Sequence, residues 1–292
     1  MDVEVSLVHS FTKQKNAGNP AGVVLNPPKN ITDDQMKNIS KKLDVSETAF
    51  VFPSKTADMH VRFFSPTVEV NLCGHATIAA FYCIAQQQSL SSKKQTTFIQ
   101  QTKAGHLPVT IRYDSDGIIE KIMMKQTPLQ QIDKTISFPH LAKALGINEE
   151  MIRKDIRPKP VSTGLFTLPV CVKSFETLKQ MMPDFTLVSS FCENIGVGSL
   201  HVFTFETLDP GSLYHARNFA PLYGINEDPV TGTANGAICS YLKKQGFFKD
   251  EEIIVEQGDI IDHAGRVHVL IRNDEISVGG TATIVEEKTI SV

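Results

Sequence analysis

The sequence predicts a mixed α/β (α+β) protein of two similar domains, each a curved, mostly antiparallel sheet or barrel wrapped around a central buried helix. Three observations carry that prediction. Over residues 76–88, Ala76, Ile78, Ala79, Ala80, Phe81, Cys83, Ile84 and Ala85 leave almost no polar face, and a helix apolar all round must be covered on every side. A second helix of this kind, over 233–245, carries Ala234, Ala237, Ile238, Tyr241 and Leu242 and stops at Gly246, where a glycine suits the left-handed turn that ends a helix. Both helices are entered alike: Phe64-Ser65-Pro66 leads to Gly74-His75-Ala76, and Phe219-Ala220-Pro221 leads to Gly232-Thr233-Ala234. Two copies of one strand–turn–helix device imply two similar halves with their helix starts facing each other.

Composition sets the outer limits. The 292 residues leave room for two domains of about 150 residues, enough to bury roughly three quarters of the unfolded surface without disulfides or metals. A net charge of -3 supplies no basic footprint for nucleic acid. No apolar run has membrane-spanning length, and Met1-Asp2-Val3-Glu4 does not begin a signal peptide. The five cysteines are odd in number and lack Cys-x-x-Cys spacing, which fits a reduced, cytoplasmic compartment.

Taken in order, residues 3–11 alternate as a strand with Val3, Val5 and Leu7 on one face. Asn16-Ala17-Gly18-Asn19-Pro20 reads either as a tight turn or as a backbone loop that approaches a ligand, and 21–25 is a short strand. Thr32 caps a helix whose first turn holds Asp33 and Asp34 and whose apolar face is Met36, Ile39 and Leu43. Residues 45–53 read as a strand, and that makes Glu47 unusual. A carboxylate in an apolar strand either points to solvent or sits in a site where burial changes its basicity. Residues 59–65 form a strand, and 96–101, 107–113 and 118–125 are antiparallel strands turning at Ala104-Gly105 and Asp114-Ser115-Asp116-Gly117. A boundary near Gln126-Thr127-Pro128 gives domains 1–126 and 127–280, the last strand near 281–292 returning to the first. In the second half, 138–145, 149–154, 174–180 and 185–192 read as helices. Strands are expected over 168–172, 200–205, 213–219, 253–257, 267–271, 276–279 and 283–285.

The chemistry gathers at the helix starts. Their backbone N–H groups and positive dipole ends suit an anion, particularly a carboxylate; the competing reading is that Gly74 and Gly232 only permit close packing. His75 stands where the dipole favours a neutral imidazole, or it is a core histidine with satisfied partners. Cys73 precedes the helix, where a thiol is activated, or it is simply a buried cysteine. A Cys73–His75 pair is not expected, because alternate positions at a turn seldom come within hydrogen-bond reach. The scattered histidines offer no metal spacing, and no Gly-x-Gly-x-x-Gly or phosphate-cradling loop points to a nucleotide. Glu47, Glu69, Glu227 and Asp228 are the candidate acids, with Asp228 either organising the loop before Pro229 or facing a ligand.

These residues resemble the phenazine-biosynthesis isomerase (PhzF-like) family, a branch of the diaminopimelate-epimerase fold. The matching blocks are Gly18-Asn19-Pro20-Ala21-Gly22-Val23, Ser46-Glu47-Thr48-Ala49-Phe50, Phe64-Ser65-Pro66 and Glu69-Val70-Asn71-Leu72-Cys73-Gly74-His75-Ala76-Thr77. They continue with Phe219-Ala220-Pro221, Glu227-Asp228-Pro229-Val230-Thr231-Gly232-Thr233-Ala234-Asn235, Glu256-Gln257-Gly258 and Val278-Gly279-Gly280. The resemblance implies two domains of the diaminopimelate-epimerase kind, often a homodimer, and proton transfer on a small carboxylate substrate without cofactor or metal. It implies Glu47 as general acid/base assisted by His75 and Asp228, with Asn19, Cys73, Gly74, Gly232 and Thr233 at the substrate. Related epimerases oppose two thiols; here Cys73 fits the first position and Thr231 stands at the second, so a two-thiol racemase is disfavoured. The expected activity is an isomerisation by proton transfer. A one-thiol epimerase using Cys73, or a non-catalytic small-molecule-binding protein, is the alternative.

Overall fold

Residues 1–88 and 94–292 are described by the computed structural model, and they fall into two units: Met1–Lys125 with Gly279–Val292, and Gln126–Val278. The first unit comprises β1 (Asp2–Ser10), β2 (Asn19–Val24), α1 (Asp33–Leu43), β3 (Thr48–Phe52), β4 (Met59–Phe64), β5 (Glu69–Val70), α2 (Gly74–Gln88), β6 (Gln95–Thr102), β7 (Gly105–Tyr113) and β8 (Ile119–Lys125). The C-terminal strand Ala282–Ser291 completes it.

That last strand pairs antiparallel with β1 along its whole length, and β1 pairs antiparallel with β2. The apolar residues of α2 explain its place: Ala76, Ile78, Ala79, Ala80 and Phe81 are almost wholly buried. The helix packs against β1, β2, β3, β7, β8 and the C-terminal strand, so the sheet supplies the all-round cover that its sequence demands. Outside the sheet, α1 starts with a capping box in which Thr32 and Gln35 satisfy each other's backbone N–H groups, and it buries Met36, Ile39 and Leu43. The chain's return is tight. A Cβ on Gly279 would lie 1.8 Å from the Ile122 carbonyl oxygen, so the backbones of β8 and this stretch meet where only glycine fits.

The second unit contains β9 (Gln130–Gln131), α3 (Phe138–Leu145), β10 (Val161–Ser162), β11 (Phe166–Cys171), α4 (Phe175–Gln180), α5 (Phe185–Ile195), β12 (Ser199–Thr204), β13 (His215–Ala220), β14 (Ile225–Asp228), α6 (Gly232–Lys244), β15 (Glu252–Gln257), β16 (Gly265–Arg272) and most of β17 (Glu275–Gly280). Its pairings repeat those of the first unit. The β2–β3 pair is parallel, β3–β4 and β4–β5 are antiparallel, β4–β6 is parallel and β6–β7 antiparallel. The β11–β12 pair is likewise parallel, β12–β13 and β13–β14 antiparallel, β13–β15 parallel and β15–β16 antiparallel. Helix α6 then holds the place of α2, with Ala234, Ala237, Ile238, Tyr241 and Leu242 buried.

The last strand is longer than the expected 283–285, running Ala282–Ser291, and three other expected boundaries shift for identifiable reasons. Residues 149–154 make only a single 3₁₀ turn, Glu149–Met151, because Ile152 is drawn into a bridge with Val172. Helix α5 runs past 192 to Ile195, since Gly196 in the left-handed conformation supplies its cap. The strand expected over 45–53 begins only at Thr48, leaving Glu47 in the loop that enters β3. Among the described residues, no helix is long and apolar enough to cross a membrane.

The repeat reaches further than the Phe-x-Pro pair. His60-Val61-Arg62-Phe63-Phe64-Ser65-Pro66 and His215-Ala216-Arg217-Asn218-Phe219-Ala220-Pro221 share the pattern His-x-Arg-x-Phe-x-Pro. In each copy the arginine forks onto the glutamate of the short strand leading to the helix. Arg62 donates from Nε and Nη2 to Glu69 at 2.8 and 3.0 Å, and Arg217 does the same to Glu227 at 2.9 and 2.8 Å. Each guanidinium also covers the phenylalanine two residues on, at 4.8 Å for Phe64 and 5.0 Å for Phe219. Hydrogen bonding from Arg62, against the cost of burial, holds the Glu69 carboxyl below its usual range, with Lys103 helping. Arg217 is the more deeply committed, because its Nη1 also donates to the carbonyls of Leu178 and Met181, each at 3.0 Å.

The two clamps should therefore differ in worth. Arg217→Met strands a buried carboxylate and two buried carbonyls and is expected to cost about 3 kcal/mol. Arg62→Met, where the guanidinium is the more exposed of the two, 24% against 9%, and Lys103 stays on Glu69, should cost about 1–2 kcal/mol. Urea unfolding of the two variants measures this, and equal losses would contradict the ranking.

Candidate functional site

The loop entering β3, the residue before α2 and the second residue of α2 bring Glu47, Cys73 and His75 together. His75 Nε2 lies 3.4 Å from Glu47 Oε2 and 3.4 Å from Ser46 Oγ. Cys73 Sγ lies 3.4 Å from His75 Nδ1 and 3.8 Å from its Nε2. The pairing of Cys73 with His75 corrects the expectation that alternate positions could not meet. The turn into α2 bends the chain between them, so their side chains converge on one side of the helix start.

Backbone contacts fix all three. Gly22 N–H donates to the Glu47 carbonyl at 3.1 Å, Ser10 Oγ donates to the His75 carbonyl at 2.7 Å, and Thr77 Oγ1 donates to the Cys73 carbonyl at 2.7 Å. The side chains of His75 and Glu47 keep 11% and 16% of their exposure, which leaves them reachable but largely dry. Among the described residues this is the group in which three possible metal-ligand atoms of His, Cys and carboxylate type lie within 4.8 Å of one another. Asn19 lies nearby on β2, buried, and pairs with Ser10, the residue that anchors His75. Gly18 makes the preceding turn with φ +75°.

Asp228, Gly232 and Thr233 belong to the second unit. Thr231, at the cap position of α6, donates its hydroxyl to Asp228 Oδ2, so Asp228 does organise this loop. Thr233 packs on the loop before β11, where Thr163 Oγ1 donates to its carbonyl at 3.1 Å. Beneath lies a buried polar network. Asn235 Nδ2 donates to the Thr231 carbonyl at 2.8 Å and to Gln257 Oε1 at 2.9 Å, while Gln257 Nε2 donates to the Asp228 carbonyl at 2.9 Å and to Thr231 Oγ1 at 3.1 Å. Asn235 Oδ1 accepts from Tyr214 at 2.8 Å and meets His201 Nε2 at 3.0 Å. His201 thus bridges two side-chain amides, its Nδ1 lying 3.1 Å from Asn218 Oδ1.

Strand register shows what each unit keeps. Phe64 pairs with Thr48 in the first unit, and Phe219 pairs with Leu200 in the second. The position of Glu47 is thus filled by Ser199, while Cys73 and His75 correspond to Thr231 and Thr233. The Thr77 bond to the Cys73 carbonyl is reproduced by Asn235 on Thr231. One helix start carries a carboxylate, a thiol and an imidazole; the other carries three hydroxyls at those positions. Sequence reasoning missed Ser10, Ser46, His201 and Gln257, although Ser46 and Gln257 stood inside recognised blocks. Arg62 and Arg217 could have been found from their common offset to Phe-x-Pro.

Comparison with known proteins agrees with this architecture. A family model described as phenazine biosynthesis-like protein matches residues 8–288. A Bacillus subtilis protein named uncharacterized isomerase YfhB is 38% identical, with 100% of this chain and 99% of that protein covered. The crystal structure of a PhzF-family phenazine biosynthesis protein from Bacillus anthracis superposes with a TM-score of 0.91 at 33% identity, covering all of both chains. A predicted epimerase from Pseudomonas aeruginosa shares the fold at 18% identity, with a TM-score of 0.81 and 99% of each chain covered.

The buried network makes stability depend on acid in a defined window. Burial drives the His201 imidazole down to about 4, against the pull of hydrogen bonds to Asn218 and Asn235. Between about pH 6.5 and about pH 4 the unfolded chain takes up a proton that the folded chain refuses, so stability is lost as pH falls through that range. The loss attributable to this ring should be about 2 kcal/mol at about pH 5. In His201→Gln the difference between urea midpoints at about pH 7 and about pH 5 should shrink correspondingly; an unchanged difference would show that the ring is not buried neutral.

Proposed function

This chain is an isomerase of the phenazine biosynthesis-like family, and we propose that it moves a proton on a small carboxylate-bearing substrate, without a cofactor, using Glu47 as general acid/base. The observation that carries the reading is the one-sidedness of the duplication. A two-base mechanism needs a proton-transferring group in each unit, and the positions equivalent to Glu47, Cys73 and His75 hold Ser199, Thr231 and Thr233. Hydroxyls do not serve as bases near neutral pH, and the neighbouring Asp228 carboxylate accepts from the Thr231 hydroxyl, so in this reading one group takes the proton and returns it. Glu47 suits this role because its carboxylate can take and return a proton and keeps 16% of its side-chain exposure, within reach of a ligand.

His75, 3.4 Å from Glu47, orients the carboxylate and can hold the proton between its two transfers. The first backbone N–H groups of α2 have no partner inside the helix. They point along the positive end of its dipole and stabilise the negative charge that grows on the substrate as its proton leaves. In the second unit the start of α6 at Gly232 and Thr233, beside Asp228, presents N–H groups of the same kind. A second reading, a one-thiol epimerase, is favoured by one contact, the 3.4 Å approach of Cys73 Sγ to His75 Nδ1.

The test begins with a thermal-shift screen of small carboxylates and follows each hit by NMR in heavy water. Wild-type protein is expected to wash deuterium into one carbon of the ligand. Glu47→Gln, with an unchanged melting temperature, should slow that exchange by about 10²–10⁴-fold, while Cys73→Ser retains most of it. Full exchange in Glu47→Gln would remove Glu47 from the mechanism, and its loss in Cys73→Ser alone would transfer the role to the thiol.

A further inference from the structure

We propose that Glu47, Cys73 and His75 also form a binding site for one zinc-class divalent ion, and that its occupancy shuts off proton transfer. The binding argument is geometric and stands apart from the catalytic reading; only the inhibition rests on that reading. Zinc bonds to nitrogen, oxygen and sulfur of about 2.0–2.3 Å put the edges of a tetrahedron at roughly 3.4–3.6 Å. His75 Nε2 is 3.4 Å from Glu47 Oε2 and 3.8 Å from Cys73 Sγ, and all three groups have a ligand atom within 4.8 Å of the others. Two edges therefore stand close to the required spacing before any ion arrives; because Cys73 Sγ lies nearer His75 Nδ1, at 3.4 Å, a turn of the Cys73 or imidazole side chain completes the third vertex, and the fourth is left for water.

Donor chemistry narrows the ion. A thiolate with an imidazole and one carboxylate suits zinc, cobalt or cadmium and not the oxygen-seeking magnesium or calcium. Two anionic ligands balance a divalent charge, which matters because the positive end of α2 opposes a cation. Ordering costs little: the carbonyls of Glu47, Cys73 and His75 are already held by Gly22, Thr77 and Ser10. Binding releases the thiol proton to solvent, so affinity must rise with pH. The second unit is an internal control, since Ser199, Thr231 and Thr233 supply no comparable donors and the predicted stoichiometry is one ion per chain.

Cobalt(II) added to the reduced protein tests this without substrate. The expected result is one equivalent bound, with a thiolate-to-cobalt charge-transfer band, tetrahedral ligand-field bands, and displacement of both by zinc. Cys73→Ser should abolish the charge-transfer band, and His75→Asn and Glu47→Gln should each weaken zinc at least about tenfold in competition with a chromophoric chelator. Far-ultraviolet circular dichroism and melting temperature establish that each variant is folded, and Cys73→Ala repeats the thiol deletion should Cys73→Ser misfold. A spectrum that lacks the charge-transfer band, or one that survives loss of Cys73, overturns the site. Zinc that binds through these residues yet leaves deuterium exchange untouched overturns the inhibition and counts against Glu47 as the base. Zinc binding with exchange abolished supports both.

Discussion

The structure depends on an arginine that locks the entry to a buried helix. A helix apolar on all sides is held by its sheet without regard to the angle or depth at which its first turn arrives, because burial is non-directional. The fork from Arg62 to Glu69, repeated from Arg217 to Glu227, supplies the missing direction. Each bidentate pair fixes a short strand five residues before the first helical glycine, and the aromatic face of Phe64 or Phe219 fixes the guanidinium in turn. Paired forks of this geometry discriminate by angle as well as distance, and angle is what a helix start needs when its N–H groups are to meet a ligand.

With that frame repeated, function can diverge in very few residues. The second unit keeps the clamp, the helix-start bond to the cap carbonyl and the sheet pairings, yet replaces carboxylate, thiol and imidazole with Ser199, Thr231 and Thr233. It has invested the same region in order instead. The chain Asn218–His201–Asn235–Gln257 is buried and ends on the half-buried Thr231, and Gln257 alone ties down both the Asp228 carbonyl and the Thr231 hydroxyl. Burial that leaves His201 neutral keeps a charge out of this network and so preserves its direction. A hydroxyl-lined helix start in one unit and one carrying carboxylate, thiol and imidazole in the other is the asymmetry on which the proposed single-base proton transfer rests.

Much of this was legible because apolar pattern and turn chemistry are local. The buried character of α2 and α6, the Thr32 cap and the turns at Gly105 and Asp114 all follow from residues within a few positions of one another. The boundary of β3 was not, since Val45, Ala49, Phe50 and Val51 give a strand composition on both sides of Glu47, and only the pairing of Gly22 with Thr48 sets where the ladder begins. Glu149 was misjudged for the same reason: a bridge from Ile152 to Val172, twenty residues on, outweighs the helix propensity of 149–154. The clamp lay in the text as a repeated His-x-Arg-x-Phe-x-Pro, but an arginine two residues before a phenylalanine has no meaning until the strand carrying its glutamate is known to lie alongside. Long-range pairing was the missing information in each case.

The cysteines show how position decides chemistry when residue type does not. Burial pushes the thiols of Cys83, Cys171, Cys192 and Cys239 up to about 12, so each remains protonated and inert as a nucleophile or ligand. Cys73, 8% exposed against 0–3% for the other four, has its sulfur 3.4 Å from an imidazole nitrogen and stands just before the first turn of a helix. A thiol-directed metal or alkylating agent should therefore discriminate among five buried cysteines by the polarity of what surrounds each sulfur, and that criterion selects the residue beside His75 and Glu47.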